Sequence, residues 1–388
     1  MSTKPVRRAI AAGLLVAVSA TALAACSTNA AKDSSDPIRF GVTAPLTGNQ
    51  AQYGADWKDA IDLYTEQLNA AGGVDGRQVE VDFQDSQGDP SQAATIAQKF
   101  SDDESVLGVL GDFASPTSKA ASPIYQRAGL TQIGITNSAA DFTDTGDYIF
   151  SPATTQADDG PALEQATAKQ GEKIGIIYVD SDWGKGGAEL WNEEAQKNGD
   201  DVVFSEAVSQ DTTDYKTLLT KLRDSGAQAV TIYAYYQNAA PIVKQAKQVA
   251  GLENTQWVSI ISNYSDDFLE NAGDAANGTI IETTYFAGSD DEQVRAFDDA
   301  FQAKYGRTTN WFSAVAYDGI QDLVWAYQNS DGTREGIRNA LRDGTDIPSI
   351  VLGSITYNDD RRVSQPRYLW VRVENGKFTL PDDLNQEQ

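Results

Sequence analysis

Short apolar runs rich in β-branched residues alternate with amphipathic segments over most of the chain. Nearly continuous apolar runs predict strands that are buried on both faces, and the helical spacing between them predicts helices. The predicted strands are Ile38–Thr43, Val79–Phe83, Val106–Leu110, Thr131–Ile135, Lys173–Val179, Asp201–Phe204, Ala229–Tyr233, Trp257–Ile261, Thr279–Thr284 and Tyr368–Val373. The predicted helices include Tyr53–Ala71, Gln92–Phe100, Thr117–Ala128, Gly184–Lys197, Tyr215–Asp224, Asn238–Ala250 and Glu292–Tyr305. This alternation predicts an α/β fold with parallel sheets.

So many strands exceed one lobe of ordinary size, so we expect two Rossmann-like lobes joined by strand crossovers. The pattern breaks near Tyr148–Gln156 and Thr283–Ser289, where small polar residues follow a strand. We expect residues 38–153 plus 285–355 to form the first lobe and residues 154–284 plus 356–388 to form the second. A small molecule is then expected in the cleft, at the carboxyl ends of the strands.

The first 25 residues form a different kind of segment. Lys4, Arg7 and Arg8 precede a stretch of small apolar residues that ends in Leu23-Ala24-Ala25-Cys26. Its roughly 15 apolar residues are fewer than the about 20 that a membrane-spanning helix needs. The pattern looks like a bacterial lipoprotein signal, with lipidation of Cys26 and a flexible polar tether over residues 26–37. We therefore expect a body outside the cell membrane, periplasmic in a two-membrane envelope, that meets the membrane only through its lipid anchor.

The net negative charge of the chain excludes some classes of binding partner. The chain has 30 basic and 56 acidic residues, and removing the three basic residues of the leader leaves 27 against 56, a formal charge of −29. Such a field repels phosphate backbones and anionic lipid headgroups. Nucleic acid is therefore not expected as a partner.

The residue types that the chain lacks also exclude several kinds of catalytic and metal-binding site. The chain has no histidine and a single cysteine, so it lacks imidazole catalysis, internal disulfides and the usual zinc ligand sets. It contains no phosphate-binding loop and no nucleophile elbow. We expect no cofactor, no metal and no enzymatic activity. Paired carboxylates such as Asp266-Asp267 leave a surface enzyme as an alternative.

Two strand ends in the first half carry hydroxyl groups. Ser115, followed by Pro116, is predicted to be the N-cap of a helix, whose free N–H groups suit a carboxylate. The next strand ends near Thr136 and Ser138. In the second half, Trp183 and Tyr235 follow strands where polar loops are expected, which makes them candidates for facing a cleft.

Several motifs resemble a known family. Thr43-Ala44-Pro45-Leu46-Thr47-Gly48, Ala51-Gln52-Tyr53-Gly54 and the segment from Asn69 to Arg77 are similar to the opening of bacterial type I solute-binding proteins of the branched-chain amino acid transport class. The Ser115 turn, the Asp180–Gly184 turn and Ala316-Tyr317-Asp318 follow in the family's order, so the resemblance covers essentially the whole body. It implies a type I periplasmic binding protein that delivers a solute to ABC permease subunits.

The resemblance also implies site residues. The carboxylate-binding serine falls on Ser115, beside Ala114, and the second donor loop on Thr136 and Ser138. The aromatic positions fall on Tyr53, Trp183 and Tyr235, although the family usually has tyrosine where Trp183 stands. The glutamate that holds a ligand ammonium in the family's amino-acid binders falls near Ile261, where this chain has no acid.

That departure leaves the ligand open between two classes. A buried ammonium without a counter-charge would cost several kcal/mol, so an amino acid would need another acid. The sequence offers three acids that could replace the missing glutamate, Asp180, Asp182 and Asp318. A carboxylate or amide solute without an ammonium would need no such acid. We expect a binder of a small carboxylate-bearing solute that closes by a hinge. The alternatives are a sensor that presents an amide or an aromatic or aliphatic acid to a receptor, the surface enzyme already mentioned, and a structural envelope protein.

Overall fold

Fourteen strands appear in residues 36–363 and 368–385, the part of the chain that the computed structural model describes. They are β1 (Ile38–Ala44), β2 (Val79–Asp85), β3 (Val106–Gly111), β4 (Thr131–Ile133), β5 (Ile149–Phe150), β6 (Lys173–Val179), β7 (Asp201–Val208), β8 (Ala229–Tyr233), β9 (Gln256–Ser259), β10 (Ile280–Thr283), β11 (Ile347–Ser349), β12 (Gly353–Ile355), β13 (Leu369–Glu374) and β14 (Lys377–Thr379). The predicted signal peptide, Cys26 and nearly all of the predicted tether lie outside the described residues.

Twelve α-helices occur in the same described ranges. They are α1 (Ala51–Ala70), α2 (Pro90–Asp102), α3 (Ser115–Ala128), α4 (Gln156–Ala168), α5 (Asp182–Asn198), α6 (Lys216–Ser225), α7 (Tyr236–Ala246), α8 (Asp266–Ala272), α9 (Glu292–Tyr305), α10 (Trp311–Gln328), α11 (Arg334–Asp343) and α12 (Asp382–Asn385). In the described part of the chain, no helix has the length and apolar character that crossing a membrane requires.

The first sheet is parallel throughout. Its strand order is β2-β1-β3-β4-β5, with Ile38 opposite Val79 and Leu110 opposite Ile133. Its strands are largely buried because α2 and α3 pack together on it and α1, α10 and α11 contribute further contacts. The carboxyl ends of β3 and β4 therefore point to one edge, where the segments that contain Ser115 and Thr136 begin.

The second sheet is mixed. Its order is β14-β13-β10-β9-β8-β6-β7, and the five strands from β10 to β7 are parallel. β13 and β14 run antiparallel, which corrects the fully parallel prediction for Tyr368–Val373. The tight turn at Asn375 and Gly376 accounts for β14, because a hairpin of this length can only join antiparallel strands, and β13 is itself antiparallel to its other neighbour β10.

Three chain segments connect the two sheets. The first follows β5, the second follows β10, and the third leads from β12 towards β13. The first and third segments contact each other, since the Ser151 amide donates to the Arg361 carbonyl at 3.0 Å. The lobe boundaries given above remain a prediction.

Candidate functional site

A cavity of about 40 Å³ lies between the carboxyl ends of the two sheets. Water needs roughly 10–15 Å³ by such a measure, so this volume holds only a few waters. Entry of a solute therefore requires the two sides to separate. The lining residues come from both sheets: Phe113, Ala114, Ser115, Thr136, Ser138, Ala153, Thr154, Asp159, Trp183, Tyr233, Tyr235, Ile260, Ile261, Ser262, Glu282, Trp311 and Phe312.

Ser115 stands at the first helical position of α3 and is 3% exposed. The predicted N-cap role was wrong by one residue, because Ala114 is the N-cap and no side chain caps this helix. The Ser115 hydroxyl instead accepts from the Ala139 amide at 3.3 Å. Its own O–H therefore stays available to an anion beside the first-turn N–H groups of α3.

Thr136 lies on the same wall but is already engaged. Its hydroxyl donates to the Phe113 carbonyl at 2.7 Å, which ties the loop after β4 to the loop before α3. Ala114, also predicted as a candidate, lines the cavity between them. The structure thus brings Ala114, Ser115, Thr136 and Ser138 together on one wall, whereas Tyr53 and Asp318 are not among the lining residues.

Trp183 and Tyr235 form the opposite wall. Their rings are stacked, with centroids 5.0 Å apart and planes 9° apart. The Trp183 indole Nε1 donates to the Ser138 hydroxyl at 2.9 Å, so the second wall is bonded to the first. Ser138 can still donate its own O–H, since a hydroxyl is both donor and acceptor.

Local geometry places Trp183 at the cavity. The Ser181 hydroxyl accepts from the Gly184 amide at 3.1 Å and caps α5. A Cβ on Gly184 would lie 2.0 Å from the Val179 carbonyl oxygen, so only glycine lets the helix begin this close to β6. The ring of Trp183, one residue earlier, is then held over the strand ends.

Two buried carboxyl groups line the cavity, and the sequence analysis named neither. Asp159, in the first turn of α4, is 4% exposed and accepts from the Tyr368 hydroxyl at 2.5 Å. Glu282, on β10, is 1% exposed, and its Oε2 has no hydrogen-bond partner among the described residues. Glu282 could have been noticed as the one acid in the apolar run Thr279–Thr284. Asp159 gave no such signal, since it follows another aspartate on a polar helix.

Burial dominates the electrostatics of these groups. It raises the pKa of Asp159 to about 7, although the Tyr368 and Thr154 hydroxyls stabilise the ionised form. Burial, with the charge of Asp159, also raises the pKa of Glu282 well above its usual range. The pKa of Arg362 is lowered to about 10 by burial, which the charge of Asp159 partly offsets.

Tyr53 lies behind this cavity rather than on its wall. Its ring stacks on Phe113, with centroids 4.3 Å apart, and its hydroxyl donates across the cleft to the Ser262 carbonyl at 3.3 Å. Gln237 makes a second bridge, donating to the Asn49 carbonyl at 2.6 Å. Tyr53 thus supports the Phe113 wall and joins the two sides.

The acids that the sequence offered as substitutes lie elsewhere. Asp180 is exposed and paired with Lys185 at 2.6 Å, and Asp182 is exposed at the start of α5. Asp318 is buried beside a second cavity of about 30 Å³ and accepts from the Ser349 hydroxyl at 2.6 Å and the Ile350 amide at 2.8 Å. Ile261 does line the main cavity, as its alignment predicted, but with an apolar side chain.

The described residues contain no group of three or more acids arranged to hold a metal ion. The donor set of the cavity consists of hydroxyls, two carboxyls and aromatic faces. Such a set can bind a small polar solute and enclose its apolar part.

Comparison with known proteins gives a family match and a curated relative. A family model described as periplasmic binding protein matches residues 37–377. The leucine-, isoleucine-, valine-, threonine- and alanine-binding protein of Pseudomonas aeruginosa is 28% identical over 340 residues, which cover 86% of this chain and 90% of that protein.

Solved structures share the fold. The branched-chain amino acid transporter substrate-binding protein of Streptococcus pneumoniae, in complex with isoleucine, matches with a TM-score of 0.83 and 24% identity, covering 88% of this chain and 98% of that one. A solute-binding protein of an ABC transporter from R. palustris, in complex with benzoate, matches with a TM-score of 0.80 and 18% identity, covering 88% and 95%. Both likenesses concern the architecture of two sheets and a cleft.

Proposed function

The chain belongs to the periplasmic binding protein family, and on that premise we propose that it is the solute-binding subunit of an ABC importer. It captures a small carboxylate-bearing solute between its two sheets. The observation that carries this proposal is the cavity itself, which has the hydroxyl of Ser115 and the start of α3 on one side and stacked aromatic rings on the other.

Carboxylate binding follows from the first wall. The positive end of α3 and its free N–H groups favour an anion, and Ser115 and Ser138 can each donate an O–H to it. Thr136 holds the two loops at their spacing through its bond to Phe113. This wall needs no metal to bind a carboxylate.

Closure follows from the second wall. Trp183 and Tyr235 cover the apolar part of the solute, and the bonds from Trp183 to Ser138 and from Tyr53 to Ser262 form only when the lobes meet. The solute stabilises the closed arrangement because it contacts both walls there. The crossings after β5 and β10 take up the rotation, with the predicted lobes moving as units.

The partners of this function are membrane proteins. Lipidation at Cys26 would hold the body at the outer face of the cell membrane, next to permease subunits that receive the solute. Nucleotide hydrolysis would belong to other subunits, since the sequence contains no phosphate-binding loop. The protein would bind one solute per cleft and leave it unchanged.

The direct test is isothermal titration calorimetry on the purified protein with two sets of solutes. One set contains the neutral amino acids named for the Pseudomonas aeruginosa relative, and the other contains aromatic and aliphatic acids. We expect saturable binding of one carboxylate-bearing solute at a ratio of one per chain. Absence of binding across both sets, or chemical conversion of a bound compound, would refute the proposal.

A further inference from the structure

Glu282 is a buried group on the cavity that the binding scheme above leaves without a role. It stands one residue before the carboxyl end of β10, where parallel sheets place their ligands. Its side chain lines the cavity, is 1% exposed, and has an oxygen with no hydrogen-bond partner among the described residues. A buried carboxyl oxygen without a partner is costly, so such a group is expected to meet one in another state of the protein.

The position of Glu282 relates it to the missing glutamate. The resemblance placed the family's ammonium-binding acid near Ile261, which is apolar here. The Ile261 backbone N–H lies close enough to the Glu282 carboxyl to favour its ionised form, so Glu282 reaches the same region from the neighbouring strand. β10 and β9 are paired at Ile281 and Ser259, which fixes this approach.

The charged groups around Glu282 indicate which kind of solute group could pair with it. Asp159 of α4 is near enough for the two charges to interact. Both acids also act on the hydroxyls of Tyr233 and Tyr368, and Asp158 acts more weakly on Tyr368. Arg362 is the cation that acts on Asp159, and its guanidinium donates to the carbonyls of Asn137 and Ala139. Among the described residues, the cavity itself is lined by two acids and by no basic side chain, which suits a cationic group of the solute.

We propose that Glu282, together with Asp159, binds the ammonium group of the solute, so that the cleft selects α-amino acids over carboxylic acids that lack an amino group. This inference rests on the proposed function. Ser115, Asp159 and Glu282 line one small cavity, so a solute whose carboxylate is held at Ser115 lies in the same enclosure as the two acids.

Proton exchange accompanies this binding. Without a cation in the cavity itself, burial and mutual repulsion disfavour ionisation of both acids at once, so the pair retains a proton near neutral pH. An incoming ammonium favours the doubly ionised pair and displaces that proton. The affinity for an amino acid should therefore rise with pH over the range in which the pair ionises.

The experiment compares two solute pairs that differ only in the amino group: L-leucine with isocaproate, and L-phenylalanine with hydrocinnamate. The readout is the ratio of dissociation constants within each pair, for the wild-type protein and for Glu282→Gln. We expect the wild type to prefer the amino acid at least tenfold in the pair that it binds, and Glu282→Gln to lose most of that preference. Glu270→Gln, an exposed acid on α8 of the same half, is the matched control and should keep the preference.

A ratio separates specificity from general damage, because a merely structural defect weakens both members of a pair alike. If Glu282→Gln does not fold, the same ratio is measured for Asp159→Asn. Separately, calorimetric titrations of the wild type in two buffers of different ionisation enthalpy measure the number of protons released on binding. An unchanged ratio in Glu282→Gln, or wild-type binding without proton release, would overturn the inference. Wild-type preference for the acid that lacks the amino group would overturn it while leaving the proposed function standing. If no carboxylate-bearing solute binds, both the inference and the proposed function are refuted.

Discussion

The indole N–H of Trp183 donates to the Ser138 hydroxyl at 2.9 Å, joining the start of α5 to the loop after β4. These residues lie 45 positions apart in the chain and follow strands of different sheets. The bond therefore exists only when the two sides of the cleft are together. The same serine is therefore a candidate solute ligand and also stabilises the closed arrangement; we call this Trp183–Ser138 bond the latch.

Trp183→Phe removes this latch and keeps an aromatic ring against Tyr235. The lost bond is worth about 1 kcal/mol, so the affinity should fall roughly fivefold. Because the bond forms after solute entry, the dissociation rate should rise while the association rate changes little. Stopped-flow tryptophan fluorescence measures both rates, with Trp325→Phe, outside the cavity, as the matched control. An unaltered dissociation rate would contradict the latch.

Ser115→Ala removes the hydroxyl at the start of α3. Loss of a hydrogen bond to a charged carboxylate costs about 1.5–3 kcal/mol, so the affinity should fall roughly tenfold or more. Calorimetric titration provides the measurement. Ser91→Ala, an exposed serine in the first turn of α2, is the control and should bind normally. Equal affinities for the two variants would exclude Ser115 from the carboxylate site.

The stability of the solute-free protein should depend on pH through Asp159. Burial raises the pKa of this carboxyl from 3.8 to about 7, so between these values the folded chain holds a proton that the unfolded chain has lost. The free energy of unfolding contributed by Asp159 is therefore greatest below its unfolded pKa and falls as pH rises towards 7, by at most about 1.4 kcal/mol per pH unit. Urea unfolding of the wild type and Asp159→Asn across this range measures the difference, and parallel curves would contradict the shifted pKa.

Cys26→Ala tests the lipid anchor separately from the binding site. The substitution removes the predicted acyl attachment point, so the protein should move from the membrane fraction to the soluble or secreted fraction. Immunoblots of fractionated cells detect the change, and Ser27→Ala serves as the neighbouring control. A membrane-bound Cys26→Ala variant would show that this cysteine does not anchor the protein.

The acids show where sequence reasoning reached its limit. Ile261 was recognised as a departure because a motif fixed its position, and the acids offered in its place, Asp180, Asp182 and Asp318, came from other motifs of the resemblance. Glu282 lies 21 positions beyond Ile261, and sheet pairing puts β10 beside β9, so that both residues line the same cavity. Strand order is a tertiary property, so no local pattern could have linked the two.

The sequence by itself determined the α/β class and the strand ends that carry Ser115, Thr136, Ser138, Trp183 and Tyr235, because apolar periodicity and capping chemistry act over a few neighbouring residues. Only the tertiary structure decided that Trp183 is bonded to Ser138, that Tyr53 stands behind Phe113, and that Asp318 is engaged with Ser349 and Ile350. It also decided that the acids on the cavity are Asp159 and Glu282. These relationships depend on how two sheets face each other, and burial, which sets the charge of each acid, is a property of that packing.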